Sequence, residues 1–534
     1  MKILLLFLIP PAAAPEETED SPWGVAPSHS SSRGIEGWAP AIAKTGVRWI
    51  RGFYQDDPDR VLGVAERNGF RVAGILQWSP KGRPASFPAD ALPEWKAYVA
   101  GMIRRTRGRV RHWEVWNEPP NFSRSKSPAD YAKIVAAAYE TAKEVDPEVQ
   151  VGLAAQSVNL NFLAQALDAG AAGRFDYVTV HPYEVMDLVA RGWEPQFLSI
   201  VPTIRRMLAD KSPSRRNVPV WITEVGQPVG KEITPERQAD TLVKAFVLGL
   251  AQGMRRIHWF EAVDGDSGPF GLIAGGRGDG PRRPSFTALA RLVRHLGHAP
   301  RFVGWTLLED RHPVFLFEGP EGPVAAAWAA PGAAARVSFG APVRLLRPHG
   351  GAEVETESVD LTNSPVLILG VPPGLVERAR AGRGRPFPWG GDYTGAASVR
   401  WEAPGIEKGL HPLRSGRVAV VEGQEAWDLG GTAELAFAVD PNFLSYETVP
   451  LKITAVLRRQ GGKGAGFNLK YESTSGFRGT GSWYTLPEGD AWVTQSWTIR
   501  DPQFVGKWGY HFSFDSDSER HTHYWLRSVT VSRE

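Results

Sequence analysis

The sequence predicts a (β/α)8 barrel followed by a small antiparallel β-domain and a C-terminal β-sandwich, and three observations carry that prediction. From residue 22 to 298, short apolar, β-rich runs alternate with helical patterns, as parallel βα units do. Eight such runs occur, the number a closed barrel needs. Beyond residue 298 the helical periodicity gives way to short alternating segments separated by Gly and Pro, the pattern of antiparallel sheets.

Taken in order, Lys2 precedes an apolar run over 3–9, then Pro10-Pro11-Ala12-Ala13-Ala14 and acidic residues. Residues 1–20 are expected to be a secretory leader, which implies a secreted or periplasmic protein. The run is too short for a membrane-spanning helix of about 20 residues, and no other segment is apolar enough for one. The barrel is expected over 21–299, with strands at 23–26, 47–53, 71–77, 112–117, 151–155, 177–181, 220–223 and 256–260. Helical patterns lie between them, for instance over 128–145 and 235–252. An open doubly wound sheet is the competing fold, but it usually has fewer strands and a Gly-rich first turn, which is missing here. A small β-sandwich domain is expected over 300–372, with strands near 314–317, 324–328 and 343–346. The Pro-, Gly- and Arg-rich stretch 373–388 reads as a linker. A jelly-roll sandwich is expected over 389–534, with strands near 451–457, 466–471, 492–499, 510–514 and 524–531.

At 534 residues the chain exceeds one ordinary core. Net charge is only +3, so nothing in the bulk charge points to nucleic acid or an anionic membrane. With no Cys, disulfides, thiolate chemistry and Cys-based zinc sites are excluded. The 20 Trp suit stacking on sugar rings, although most are expected to fill β-rich cores.

A barrel of this kind carries its chemistry at the C-terminal ends of its strands. The fourth predicted strand ends in Trp116-Asn117-Glu118-Pro119 and the seventh in Trp221-Ile222-Thr223-Glu224. Two carboxylates are thus aimed at one mouth. Cleavage of a glycosidic bond needs such a pair, one acid to protonate the leaving oxygen and one carboxylate to attack the anomeric carbon. Asn117 stands ready to hydrogen-bond a sugar hydroxyl, and Pro119 ends the strand.

Trp-Asn-Glu-Pro at the fourth strand and Ile-Thr-Glu at the seventh resemble the clan A glycoside hydrolases, above all glycoside hydrolase family 39 and its bacterial relatives. The resemblance covers the barrel and extends to the small β-domain. It implies a retaining glycosidase with Glu118 as acid/base and Glu224 as nucleophile, acting on an oligo- or polysaccharide without cofactor or metal. By the same resemblance Arg51 would hold the nucleophile's carboxylate, and Tyr183 would donate a hydrogen bond to it. His181 would bind a sugar hydroxyl, and Trp259 would form the floor on which the sugar stacks. His29 and Trp78, following the first and third strands, are further candidate sugar contacts.

Two readings compete with hydrolysis: a non-catalytic carbohydrate-binding protein on a hydrolase scaffold, and a transglycosylase using the same covalent intermediate. Retention of both Glu residues with Asn117 and Tyr183 argues against the first. Glu261 and Asp264 read as solvated loop charges. Asp264-Gly-Asp266-Ser-Gly lacks the further ligands of a calcium loop, and His521-Thr-His523 lacks a third metal ligand nearby. The aromatic residues of the C-terminal domain offer a carbohydrate-binding face, but alternation would send about half of them inward.

Overall fold

Eight parallel strands close into a barrel in sequence order: β1 (Trp23–Ala26), β2 (Trp49–Gly52), β3 (Arg71–Leu76), β4 (His112–Val115), β5 (Gln150–Ala154), β6 (Tyr177–Val180), β7 (Val220–Val225) and β8 (Arg256–Phe260). The computed structural model describes residues 21–534 apart from 53–56, 79–85, 331–334, 388–391, 415 and 462. The expected leader over 1–20 lies outside the described residues. β1 pairs with both β2 and β8, which closes the ring. Every residue of β1, β2, β6, β7 and β8 is buried. Covered on both faces, these strands read as continuous apolar runs.

Small residues make room for rings on neighbouring strands. A Cβ on Gly24 would stand 2.5 Å from the His258 ring opposite it, and one on Gly152 would stand 2.6 Å from Tyr177. At the N-terminal end of the barrel, Arg256 lies between Trp49 and Trp221, 3.8 and 4.2 Å from their ring centroids. Such cation–π contacts at the face away from the mouth serve stability. The helix Pro128–Val145 starts where Ser127 accepts a hydrogen bond from the Asp130 N–H and Pro128 supplies a preset φ. Thr234 and Pro235 start the helix Pro235–Ala251 in the same way.

The small β-domain is one antiparallel sheet of six strands, β9 (Arg301–Leu308), β10 (His312–Gly319), β11 (Gly322–Ala327), β12 (Ala335–Leu346), β13 (Val354–Leu361) and β14 (Val366–Leu369), in the order β13-β12-β14-β11-β10-β9. Alternation divides its side chains. Phe315 and Phe317 join the barrel's core, whereas Val314 and Leu316 face a core of the domain's own. The stretch expected as a linker instead opens with a helix, Pro373–Gly382, whose Leu375 and Ala379 are buried in that second core. Pro373 sits at the first turn, where proline favours a helix, so its presence did not signal an extended chain.

Two sheets form the C-terminal sandwich, enclosing Trp401, Phe437, Phe467, Phe512 and Phe514. Buried polar groups fasten it to the barrel. Asn161 Nδ2 donates to the Ser473 carbonyl at 2.6 Å, Gln196 Nε2 donates to the Val439 carbonyl at 2.8 Å, and Trp193 stacks on His411 at 4.0 Å. Among the described residues, no helix is long and apolar enough to cross a membrane.

Candidate active site

Glu118 and Glu224 reach the mouth of the barrel by two departures from regular strand geometry. After β4 the backbone takes positive φ at Trp116 (68°) and again at Glu118 (48°), a left-handed conformation that costs a side-chain-bearing residue about 1–2 kcal/mol. Packing offsets that cost, because Trp116 is fully buried edge-on to Phe87 and its N–H donates to the Leu76 carbonyl at 2.9 Å. The turn sends Trp116 into the core and Glu118 to the mouth. On β7 the pairing with β8 shifts register between Ile222 and Val225. A bulge of this kind re-aims side chains. Here Thr223 contacts buried partners while its neighbour Glu224 lines the cavity.

The cavity has a volume of about 800 Å³. Glu118, Glu224, Asn117, Gln77 and Tyr183 line it, with Ser28, His29, Asp266 and Ser267 at its rim and Phe122, Phe260 and Phe270 as its apolar surface. Glu118, Glu224 and His181 each place one polar atom within 4.8 Å of the others. That proximity would suit a metal ion, but each group already has partners: His181 Nδ1 lies 2.8 Å from Glu118 Oε1, and Glu224 accepts from Arg51 and Tyr183.

Arg51 organises the floor of the cavity. Fully buried, it donates from Nε to Glu114 Oε2 at 2.9 Å, from Nη1 to Glu224 Oε1, and from Nη2 to Asn117 Oδ1 at 2.8 Å. The planar guanidinium thus fixes two carboxylates and an amide at once, which lysine cannot do. Tyr183 donates its hydroxyl to Glu224 Oε2 at 3.1 Å. Glu114, in mid-strand and equally buried, also accepts from Thr179 at 2.6 Å and from Thr223 at 3.2 Å.

These bonds determine the His181 tautomer. Thr223 gives its one hydroxyl proton to the Glu114 carboxylate, so its oxygen accepts from His181 Nε2 at 2.9 Å. With Nε2 committed as donor, one mobile proton remains between Nδ1 and Glu118. Burial pushes the Glu118 carboxyl up. The His181 hydrogen bond and charge, then Arg51 and Asn121, outweigh burial and hold it below the ordinary carboxylate value. Burial also disfavours a charged His181, but the Glu224 charge and the Glu118 bond raise it above the ordinary imidazole value. Both directions favour the shared proton on His181 over Glu118.

Three sequence candidates lie elsewhere than expected. His181, expected to bind a sugar hydroxyl, is 1% exposed and sits beneath Glu118, outside the cavity lining. Trp259, expected as the floor for a stacked sugar, is fully buried in the barrel's core. Side chains alternate along a strand, so the next residue, Phe260, faces the cavity instead. Trp78 turns towards the helix Leu92–Arg105 and stacks on Tyr98 at 6.3 Å, leaving Gln77 on the cavity wall. His29 lies exposed at the rim, 2.8 Å from Arg33.

Two acidic residues read as solvated loop charges are fixed by partners. Glu261 is fully buried and accepts from Ser28 N at 3.0 Å, Ser31 Oγ at 2.9 Å and Gly265 N at 3.0 Å. It thereby ties the loop carrying Ser28 and His29 to the one carrying Asp266 and Ser267, and burial raises its carboxyl. Its position directly after β8 was the available signal. Asp264 pairs with Arg283 at 2.6 Å and accepts from the Gly271 and Gly275 N–H groups, so an arginine meets the carboxylate of the calcium-like sequence.

No protein-family model matches the chain, and no curated protein matches it in sequence. Among solved structures it is similar to a family 39 glycoside hydrolase from the gut symbiont Bacteroides cellulosilyticus, at 20% identity and a TM-score of 0.53, over 66% of this chain and 81% of that one. A monomeric β-xylosidase from Caulobacter crescentus matches at 17% identity and a TM-score of 0.47, over 66% and 96% of the two chains. At these identities the likeness speaks to architecture. This chain shares the fold of that family 39 glycoside hydrolase.

Proposed function

We propose that the protein is a retaining O-glycosyl hydrolase acting on an oligo- or polysaccharide. One observation carries the reading: Glu118 and Glu224 converge on one cavity with polar atoms within 4.8 Å. Oxygens that close suit the roughly 5–5.5 Å between the carboxyl groups of retaining enzymes rather than the roughly 6.5–9.5 Å that admits a water in inverting ones.

In the first step Glu224 attacks the anomeric carbon while the bond to the leaving oxygen breaks, and that oxygen takes the proton of Glu118. Forming the ester consumes the charge on Glu224. That charge is the largest influence raising His181. As it disappears, the imidazole becomes less basic and the shared proton shifts from Nδ1 to Glu118, where the leaving group needs it. In the second step Glu118 removes a proton from water, the hydroxide displaces Glu224 from the sugar, and the regained charge draws the proton back towards His181. Arg51 and Tyr183 hold the attacking carboxylate in line throughout. The secretory leader read over 1–20 would place this activity outside the cell or in the periplasm.

Incubation with a panel of 2-deoxy-2-fluoro glycosides carrying good leaving groups tests the proposal. One member should add its glycosyl mass to the protein, with the label on Glu224, and the first product of ordinary substrates should keep its anomeric configuration. Glu224→Gln should abolish both turnover and labelling. Label on another residue, or an inverted first product, would overturn the reading.

A further inference from the structure

Among the contacts of the C-terminal sandwich with the barrel, the turn over residues 505–509 meets the loop that follows Tyr183. Glu472, fully buried, holds that turn from behind by accepting from the backbone N–H groups of Val505 at 2.7 Å, Gly506 at 2.9 Å and Lys507 at 3.0 Å. The turn lies directly on Glu184, the residue after Tyr183. Gly509 has a φ of +79°, and a Cβ there would stand 2.9 Å from the Glu184 carbonyl oxygen. Ser157, after β5 and with a φ of 55°, closes the contact. Its Oγ lies 2.5 Å from the Lys507 carbonyl oxygen and 2.5 Å from Glu184 Oε2.

Two full hydrogen bonds need two protons, and a serine hydroxyl has one. The carbonyl only accepts, so Ser157 donates to Lys507. A proton on the Glu184 carboxyl gives the second contact a donor of its own, where a shared serine proton would serve both acceptors weakly. We propose that Ser157 and a protonated Glu184 form a clamp through which the C-terminal sandwich positions Tyr183, and with it the Glu224 carboxylate. Burial, the largest influence, raises Glu184; the Ser157 hydroxyl and a backbone N–H lower it in part, and the charge of Glu118 at the end of β4 adds to the rise, which is the net direction. His181, at the end of β6, opposes. Lys507 faces Glu184 from the sandwich with Glu472 behind it, and burial lowers its ammonium below the ordinary value. Because the folded protein holds the Glu184 proton more tightly than an unfolded chain does, the clamp is intact at low pH. It is lost as pH rises through the raised value.

The clamp is independent of the glycosidase reading; only its effect on turnover rests on that reading. Amide exchange by mass spectrometry on the full chain, corrected for intrinsic rates, tests it directly at pH about 5 and about 8. In the unaltered protein, peptides covering 181–186 and 503–510 should lose protection about tenfold at the higher pH, the worth of one hydrogen bond. Glu184→Gln supplies a permanent N–H donor and should behave at both pH values like the unaltered protein at the lower one. Ser157→Ala should lose protection at both. Where hydrolysis is measured, Ser157→Ala should lower kcat/KM mainly through kcat, and Glu184→Gln should shift the alkaline limb of the pH profile upward. A pH-dependent exchange surviving in Glu184→Gln, or unchanged protection in Ser157→Ala, overturns the clamp. An intact exchange pattern with no glycoside turned over or trapped overturns the glycosidase reading instead.

Discussion

Arg51→Met removes the guanidinium that bridges Glu114 and Glu224 while keeping much of the side chain's volume. Arg51 is fully buried and Glu114 is 2% exposed, so at Glu114 water cannot take over from the guanidinium, whereas Glu224 faces the cavity. Glu114 would keep the hydroxyls of Thr179 and Thr223, and Glu224 that of Tyr183. At an effective dielectric of about 20, attraction across the 2.9 Å Arg51–Glu114 contact is worth about 6 kcal/mol. Much of it is offset because the guanidinium no longer has to be stripped of water, leaving the roughly 3–5 kcal/mol usual when one partner of a buried pair is deleted. Unfolding in urea at several pH values measures the loss. It should be largest near neutrality and shrink as pH falls, because protonation neutralises the orphaned carboxylates. Turnover should also fall by at least about 100-fold, since the attacking group loses its alignment. A loss under about 1 kcal/mol at neutral pH, or one independent of pH, would refute the argument that a buried guanidinium holds this site together.

Other consequences can be checked by simpler means. Gly74→Ala would press a Cβ to within 2.5 Å of the Trp113 ring and should destabilise the barrel by about 1–3 kcal/mol, and an unchanged melting temperature would contradict the close packing. Glu261→Gln turns an N–H group towards donors that now face a carboxylate, costing about 1–3 kcal/mol and raising KM as the Ser28 loop loosens; wild-type values of both would show the tie to be dispensable. Asp440, buried in the sandwich, is pushed up to about 7 by burial. The native state therefore binds its proton more tightly than the unfolded chain, and stability should decline as pH rises from about 4 towards 7. Asp440→Asn should flatten that slope, and a slope unchanged by the substitution would assign it to other groups.

The barrel was legible because a buried parallel strand is predominantly apolar and is followed by a helix. β1 and β8 have the bounds read from the sequence, and so does the helix Pro128–Val145, where serine and proline mark the start. Glu118 and Glu224 were legible as candidates because they close strands, and the mouth lies at strand ends. Trp259 was misplaced although alternation along β8 distinguishes it from Phe260. Glu114 does not stand out in the sequence, yet a carboxylate in a buried strand needs a compensating partner, and that requirement is a usable signal.

The sequence by itself determined the order of strands and helices, the approximate place of each strand, and which carboxylates close the fourth and seventh, because these depend on periodicity and local stereochemistry. Only the tertiary structure decided that His181 lies under Glu118, that Arg51 joins Glu114 to Glu224, and that a turn near residue 507 rests on Glu184. Those contacts join groups far apart along the chain, and their energies arise from shared burial and shared protons that no local pattern encodes.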